Sequence, residues 1–224
     1  MPVSEPSPVH GWGWTLAAAA VGFVTSFVLS NVLRFPRPLF VAGYAVAVGA
    51  LFVAFARAQR LSVRRQVERR WVGGVVGGLL VGILLAQRVG LQPGSGRATG
   101  MSLLGDLAWH GVVYGTADAL LLSILPVLAL YGARPQAELQ GAGGRLRWAA
   151  VAMLGSAVVT AAYHVGFAEF RGGELAQPLI GNALVTFAYL LTGSPVAALV
   201  SHVLMHAAAV MHGMSTTVQL PPHY

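Results

Sequence analysis

The chain of 224 residues is 56% hydrophobic and 9% charged, with a mean hydropathy of +0.68; a soluble globular domain carries about 45–50% apolar and about 25% charged residues. So few charges cannot cover the surface of a water-soluble domain of this size, which excludes disorder, a coiled coil and an ordinary soluble enzyme. Cysteine is absent, removing disulfides, thiolate zinc sites, cysteine nucleophiles and iron–sulfur ligation together, and all fourteen basic residues behind the net charge of +7 are arginine. The composition is that of an all-α polytopic membrane helix bundle.

A spanning helix needs about 20 mostly apolar residues, with about 17–25 tolerated, and seven candidates follow one another. After an N-terminal tail (1–13) that carries Glu5 and no arginine, and so reads as retained rather than as a cleavable signal, the first runs over 14–33. It stops at Arg34-Phe35-Pro36-Arg37-Pro38. The second, 39–56, meets a loop (57–70) holding Arg57, Arg60, Arg64, Arg65, Arg69 and Arg70. Arginine-rich short loops stay cytoplasmic, which puts nine arginines inside, with the N-terminus. Five (Arg34, Arg37, Arg88, Arg97 and Arg171) then lie outside with the C-terminus. No stacking aromatics interleave with the loop arginines, so nucleic acid is not expected as a partner; the lipid bilayer is, with anionic headgroups against this loop.

The third span, 71–87, contains Gly73, Gly74, Gly77, Gly78 and Gly82, a small-residue face that lets helices approach closely in lipid. Packing within the bundle and dimerisation both fit that face; packing is the expectation, and the oligomeric state is open. A Pro/Gly/Ser-rich loop (92–100) separates these N-terminal helices (14–100) from a C-terminal helical core (101–213). The core holds spans at 107–131, kinked at Pro126, at 148–168, at 179–191 (short, bracketed by Pro178 and Pro195) and at 196–211; a tail (214–224) follows. The all-Arg, Ala/Gly-rich composition points to the cytoplasmic membrane of a bacterium.

An ionisable group at the bilayer centre is costly and faces a cavity or a partner. Asp118 is the deepest carboxylate, about 16 Å down the fourth span at 1.5 Å per residue. Asp106, His110, Tyr114 and Asp118 recur every four residues and form one polar stripe on that helix. His164 sits late in the fifth span, and His202 and His206 share one face of the seventh at i, i+4. Three imidazoles and one carboxylate suit a zinc-like divalent ion with an open or water-filled position, with His164, His202 and His206 as its nitrogen ligands. Asn182, Thr186 and Tyr189 share a face of the sixth span, fit either for interhelical hydrogen bonds or for lining a cavity opposite Asp118. His10, His212 and His223 lie at or beyond the span boundaries and receive no role.

The segment from Ala161 to Val210 resembles the back half of the CAAX protease and bacteriocin-processing family of intramembrane proteases. It has a helix ending on His164, then Gly181-Asn182-Ala183-Leu184, then Leu190-Leu191-Thr192-Gly193-Ser194-Pro195, then a helix opening on His202. This order is similar to the family's FxxxH motif, TGS turn and HxxxN/D motif. The departures are Thr160 at the phenylalanine position, His206 at the last Asn/Asp position, and a degenerate first motif. Where the family has EExxxR, this chain reads Ala117-Asp118-Ala119-Leu120-Leu121-Leu122-Ser123, with one shorter acid and Leu122 in place of arginine.

The resemblance implies a water-holding cavity and peptide-bond hydrolysis of a membrane-embedded or peptide substrate. Asp118 would activate water, while His164, His202 and His206 bind a metal or stabilise the oxyanion. Two other functions remain open. One is a non-catalytic membrane protein, either a pseudo-enzyme or a proton-coupled transporter, which the degenerate first motif favours. The other is a b-type haem carrier drawing axial ligands from His110, His164 and His202.

Overall fold

The computed structural model describes residues 8–68, 70–132, 134–215 and 219–221, without the side chains of 8–10, 136 and 172; Glu5, Arg69, the His10 side chain and His223 lie outside the described residues. Among the described residues eight helices, besides short 3₁₀ turns at Gln136–Leu139 and Ala168–Gly172, organise the chain: α1 (Gly11–Val32), α2 (Arg37–Ala58), the short α3 (Val63–Glu68), α4 (Trp71–Gly90), α5 (Gly100–Gly132), α6 (Gly141–Gly166), α7 (Ala176–Thr192) and α8 (Pro195–His212). There is no strand among the described residues. Six of the helices are long and apolar enough to cross a membrane, so the protein is an integral multi-pass membrane protein.

The sixth of the expected spans, α7, has 17 residues, about 26 Å of helix against a hydrocarbon core of about 30 Å. The packing of α4 on α8 decides that it crosses. Gly74 faces Ser194 and Val196, Gly78 faces Ala197 and Val200, and Gly82 faces Ser201 and Leu204, so the two helices run parallel. Between them α5 and α6 each cross once, and only a third crossing, by α7, returns the chain to the side from which α8 starts. Gly193, in the left-handed region at φ +66°, ends α7, and Pro195 opens α8 at its first position.

The glycine face is therefore used inside the bundle. A methyl group at Gly78 would lie 2.7 Å from Val200 Cβ and 2.8 Å from the Ala197 carbonyl oxygen, whereas one at Gly73 would meet nothing within 4 Å. Gly78→Ala is expected to destabilise by about 1–3 kcal/mol, the usual cost of overpacking, and Gly73→Ala to leave thermal unfolding in detergent unchanged. Equal melting of the two variants would refute this packing.

The N-terminal and C-terminal halves interleave, with α1 against α6 and α4 against α8. At the centre lies α5, whose apolar 18-residue stretch is 78% buried against 28–44% for the corresponding stretches of the other five long spans. Several span boundaries differ from the hydropathy reading. Helix α5 begins at Gly100 rather than 107, and α6 at Gly141 rather than 148, because each continues as helix through polar turns beyond its apolar run. Helix α5 runs on through Pro126, with π-helical turns on either side (Ala119–Ile124 and Leu128–Gly132). Those wider turns accommodate the proline that was expected to kink it.

Candidate metal centre

Asp118 ends the α-helical stretch Tyr114–Asp118, between π-helical turns on either side, and is 4% exposed. Its carboxylate is held from two helices. The Tyr44 hydroxyl on α2 donates to Oδ1 at 2.8 Å, and His206 Nε2 on α8 lies 3.0 Å from Oδ2. The i, i+4 spacing stacks the His202 and His206 rings, with centroids 6.0 Å apart and planes 16° from parallel. One potential ligand atom from each of Asp118, His202 and His206 lies within 4.8 Å of the other two. A tetrahedral ion with bonds of about 2.1 Å holds its ligands about 3.4 Å apart, so side-chain shifts of at most about 1.4 Å close the set. Two nitrogens and one carboxylate oxygen match a three-ligand catalytic zinc site with its fourth position open.

The donor set also carries spare capacity. His202 Nδ1 and His206 Nδ1 are both buried with no hydrogen-bond partner among the described residues. Lone pairs left in this state deep in a membrane fit an ion better than a purely structural contact.

His202 is oriented by Asn182 on α7. Asn182 Nδ2 sits against three acceptors, Thr160 Oγ1 at 2.6 Å, Ser156 Oγ at 2.8 Å and Leu122 O at 3.3 Å, which fixes the amide orientation. Its Oδ1 therefore faces Ser123 Oγ (2.8 Å) and accepts the His202 Nε2 hydrogen at 3.3 Å. That tautomer leaves the unpartnered Nδ1 of His202 as a lone pair, the arrangement that outer hydrogen bonds impose on metal-ligating histidines.

The Leu122 carbonyl owes its availability to the sequence. In an α-helix it would receive the N–H of residue 126, which is proline and has none. The Ser156 hydroxyl donates to it instead at 2.6 Å.

His164 stands outside the three-residue group, so the residues close enough together to hold an ion are Asp118, His202 and His206 rather than the three histidines. His164 Nδ1 donates to the Thr160 carbonyl at 2.8 Å, which leaves Nε2 unprotonated as an acceptor. It borders the same cavity of about 640 Å³, which Asp118, Asn182, His202, His206 and Tyr163 also line. Of the α7 face, only Asn182 reaches the cavity. Thr186 is engaged with Ser123 at 3.0 Å and Ser156 at 2.8 Å, and Tyr189 is buried away from it.

His110 is buried beside Asp106 (3.3 Å) and takes no part in the cavity wall, so the haem set of His110, His164 and His202 does not share it. Leu122, at the position of the resembled family's arginine, is 2% exposed in the core.

Sequence reasoning missed Tyr44 and also Tyr163, whose hydroxyl lies 2.7 Å from that of Tyr114 in the polar stripe. The one available signal was a phenol inside the otherwise apolar α2, since a buried tyrosine hydroxyl needs a partner. At the end of the cavity farthest from the 57–70 loop, Gln219, Leu220 and Pro221 of the tail form part of the wall. Arg37 holds this tail through the carbonyl oxygens of Pro221 (2.9 Å) and Met214 (2.8 Å). Nearby and outside the spans, desolvation raises the Glu169 carboxyl above its ordinary value against the lowering field of Arg37.

No family model, no curated protein and no solved structure matches the chain.

Proposed function

We propose that this membrane protein is a metal-dependent hydrolase that cleaves peptide-type amide bonds within the bilayer. It would be a divergent relative of the CAAX protease and bacteriocin-processing family, seated in a bacterial cytoplasmic membrane with the 57–70 loop on the cytoplasmic side. One observation carries the reading: Asp118, His202 and His206 converge within 4.8 Å on the wall of a cavity in the middle of the bundle.

Asp118, His202 and His206 would hold a zinc-like ion, which would supply an acidified water and Lewis-acid polarisation of the carbonyl oxygen. Asn182 keeps His202 in the tautomer that offers Nδ1, and Tyr44 holds the Asp118 carboxylate in register with His206. Each carboxylate oxygen retains a lone pair beyond its present bond. Asp118 can therefore take the proton of the attacking water and return it to the leaving amine as the C–N bond breaks. His164 Nε2, bare and facing the cavity, is a second acceptor for that proton.

The test is bound metal and peptide cleavage by the purified protein, with wild type beside Asp118→Ala and His202→Ala. Stoichiometric metal and cleavage in wild type alone are the expected results. Equal cleavage in all three proteins, or none in any, removes the assignment.

A non-catalytic pseudo-enzyme or proton-coupled transporter is the second reading. It is favoured by the buried Leu122, which leaves Asp118 without the arginine of the resembled motif. Under that reading wild type binds no metal and cleaves nothing; Asp118→Asn leaves the phenotype of the intact cell unchanged, where fold-breaking variants do not, if the role is interaction, and alters it if Asp118 carries a transported proton.

A further inference from the structure

Away from the metal ligands the cavity wall changes character. Toward the end opposite the 57–70 loop it is formed by two facing rows: Leu84 and Arg88 at i and i+4 on α4 with Leu91 just past its end, and Gln177, Ile180 and Leu184 at i, i+3 and i+7 on α7. Of these six side chains all but Leu184 are also exposed on the outside of the bundle. The seam between α4 and α7 thus opens sideways, on the face that lipid covers.

We propose that this seam is a binding site for a single-chain lipid carboxylate. Its hydrocarbon chain lies in the apolar compartment and its headgroup pairs with Arg88.

The compartment beside the seam is apolar, walled by Leu84, Leu85, Leu91, Ile180, Leu184 and Val185, with Arg88, Gln92 and Gln177 next to them, whereas the polar groups Asp118, Asn182, His202 and His206 lie on another part of the wall of the same cavity of about 640 Å³. A hydrocarbon chain needs no hydrogen-bond partner in the apolar part, which leaves the polar part to the peptide of the proposed hydrolase.

Charge selects the headgroup. Arg88 lies in the last turn of α4, is exposed, and makes no ion pair among the described residues. A single guanidinium matches a single carboxylate through two parallel hydrogen bonds. A phosphate monoester, with a charge of about −1.5 to −2, would leave part of its charge uncompensated.

This site is independent of the hydrolase reading, because it uses neither the metal nor Asp118. It is tested with the full-length protein in zwitterionic nanodiscs, photolabelled with palmitic acid bearing a mid-chain diazirine. The alcohol and lysophosphatidate of matching chain serve as comparators. Adducts from the acid are expected to concentrate on residues 84–91 and 177–184, with about ten-fold less from the alcohol. Arg88→Gln lowers acid labelling about ten-fold, to the level of the alcohol, and Arg88→Lys retains part of it. Gly181→Leu, whose Cβ would stand 3.8 Å from Leu85 Cδ2, fills the seam and blocks labelling by all three probes. Asp118→Ala labels as wild type does, so a failure of lipid binding and a failure of hydrolysis are read separately. Equal labelling by acid and alcohol, adducts spread evenly over the lipid-facing helices, or stronger labelling by the phosphate headgroup overturns the proposal.

Discussion

Asp118→Asn is expected to empty the centre of metal and stop hydrolysis while the bundle stays folded. The substitution preserves shape and removes one charge. The amide oxygen still accepts from the Tyr44 hydroxyl, and the amide nitrogen donates to His206 Nε2 once that ring takes its other tautomer, so both contacts now made at 2.8 and 3.0 Å survive. Thermal unfolding should therefore hardly move. Metal binding has no such substitute. Altering partners one shell beyond a ligand already costs about 10–100-fold in affinity, so losing the only anionic ligand is expected to cost more than about 100-fold. Turnover should fall by about 10²–10⁴ from loss of the base alone. Metal analysis, peptide cleavage and a melting curve on one preparation check the three parts together. Wild-type metal content and turnover in Asp118→Asn would show that the carboxylate serves packing only.

Much of this organisation is legible along the chain, for physical reasons that also mark where legibility ends. Spans announce themselves because lipid demands a long apolar run, and even the short α7 is visible between Pro178 and Pro195. The i, i+4 pair His202 and His206 is legible because both residues lie on one helix, whose geometry is known in advance. The rotation of one helix against another is not encoded locally. His164 therefore looked equivalent to the α8 pair, yet its Nδ1 is spent on the Thr160 carbonyl and it stands outside the ligand group. Tyr44 could not be matched with Asp118 across 74 positions of chain. Most hidden of all was the Leu122 carbonyl, a backbone atom freed by a proline four residues later and used by Ser156 and Asn182. Asn182 and Thr186 read as one helix face fit for interhelical hydrogen bonds or for lining a cavity, but nothing local joined them to residues 123, 156 and 160, with which they form one connected network.

That network makes Asn182→Leu the second large effect. Leucine keeps the branched four-atom skeleton of asparagine in a larger volume and makes none of its hydrogen bonds. It leaves the His202 Nε2 hydrogen without its acceptor and Thr160 Oγ1 without its donor, while Ser123 keeps Thr186 and Leu122 O keeps Ser156. Two orphaned groups at about 1–3 kcal/mol each give an upper figure of about 6 kcal/mol. Hydrogen bonds between membrane helices average only about 0.6 kcal/mol and reach about 1.7, because the unfolded chain in lipid finds other partners, so the expected loss is about 2–4 kcal/mol. The second consequence is specific to the site: His202 is free to exchange tautomers, and metal affinity drops about 10–100-fold. Thr186→Val separates the two effects. It removes a hydroxyl bonded to Ser123 and Ser156 that makes no contact with His202, so it should cost about 0.6–1.7 kcal/mol and leave metal content intact. Unfolding of both variants in mixed micelles, with metal titration and ¹⁵N chemical shifts of the His202 ring, reads stability and tautomer independently. If Asn182→Leu binds metal as wild type does and His202 keeps its Nε2 hydrogen, the asparagine supports the fold alone and the centre is oriented by something else.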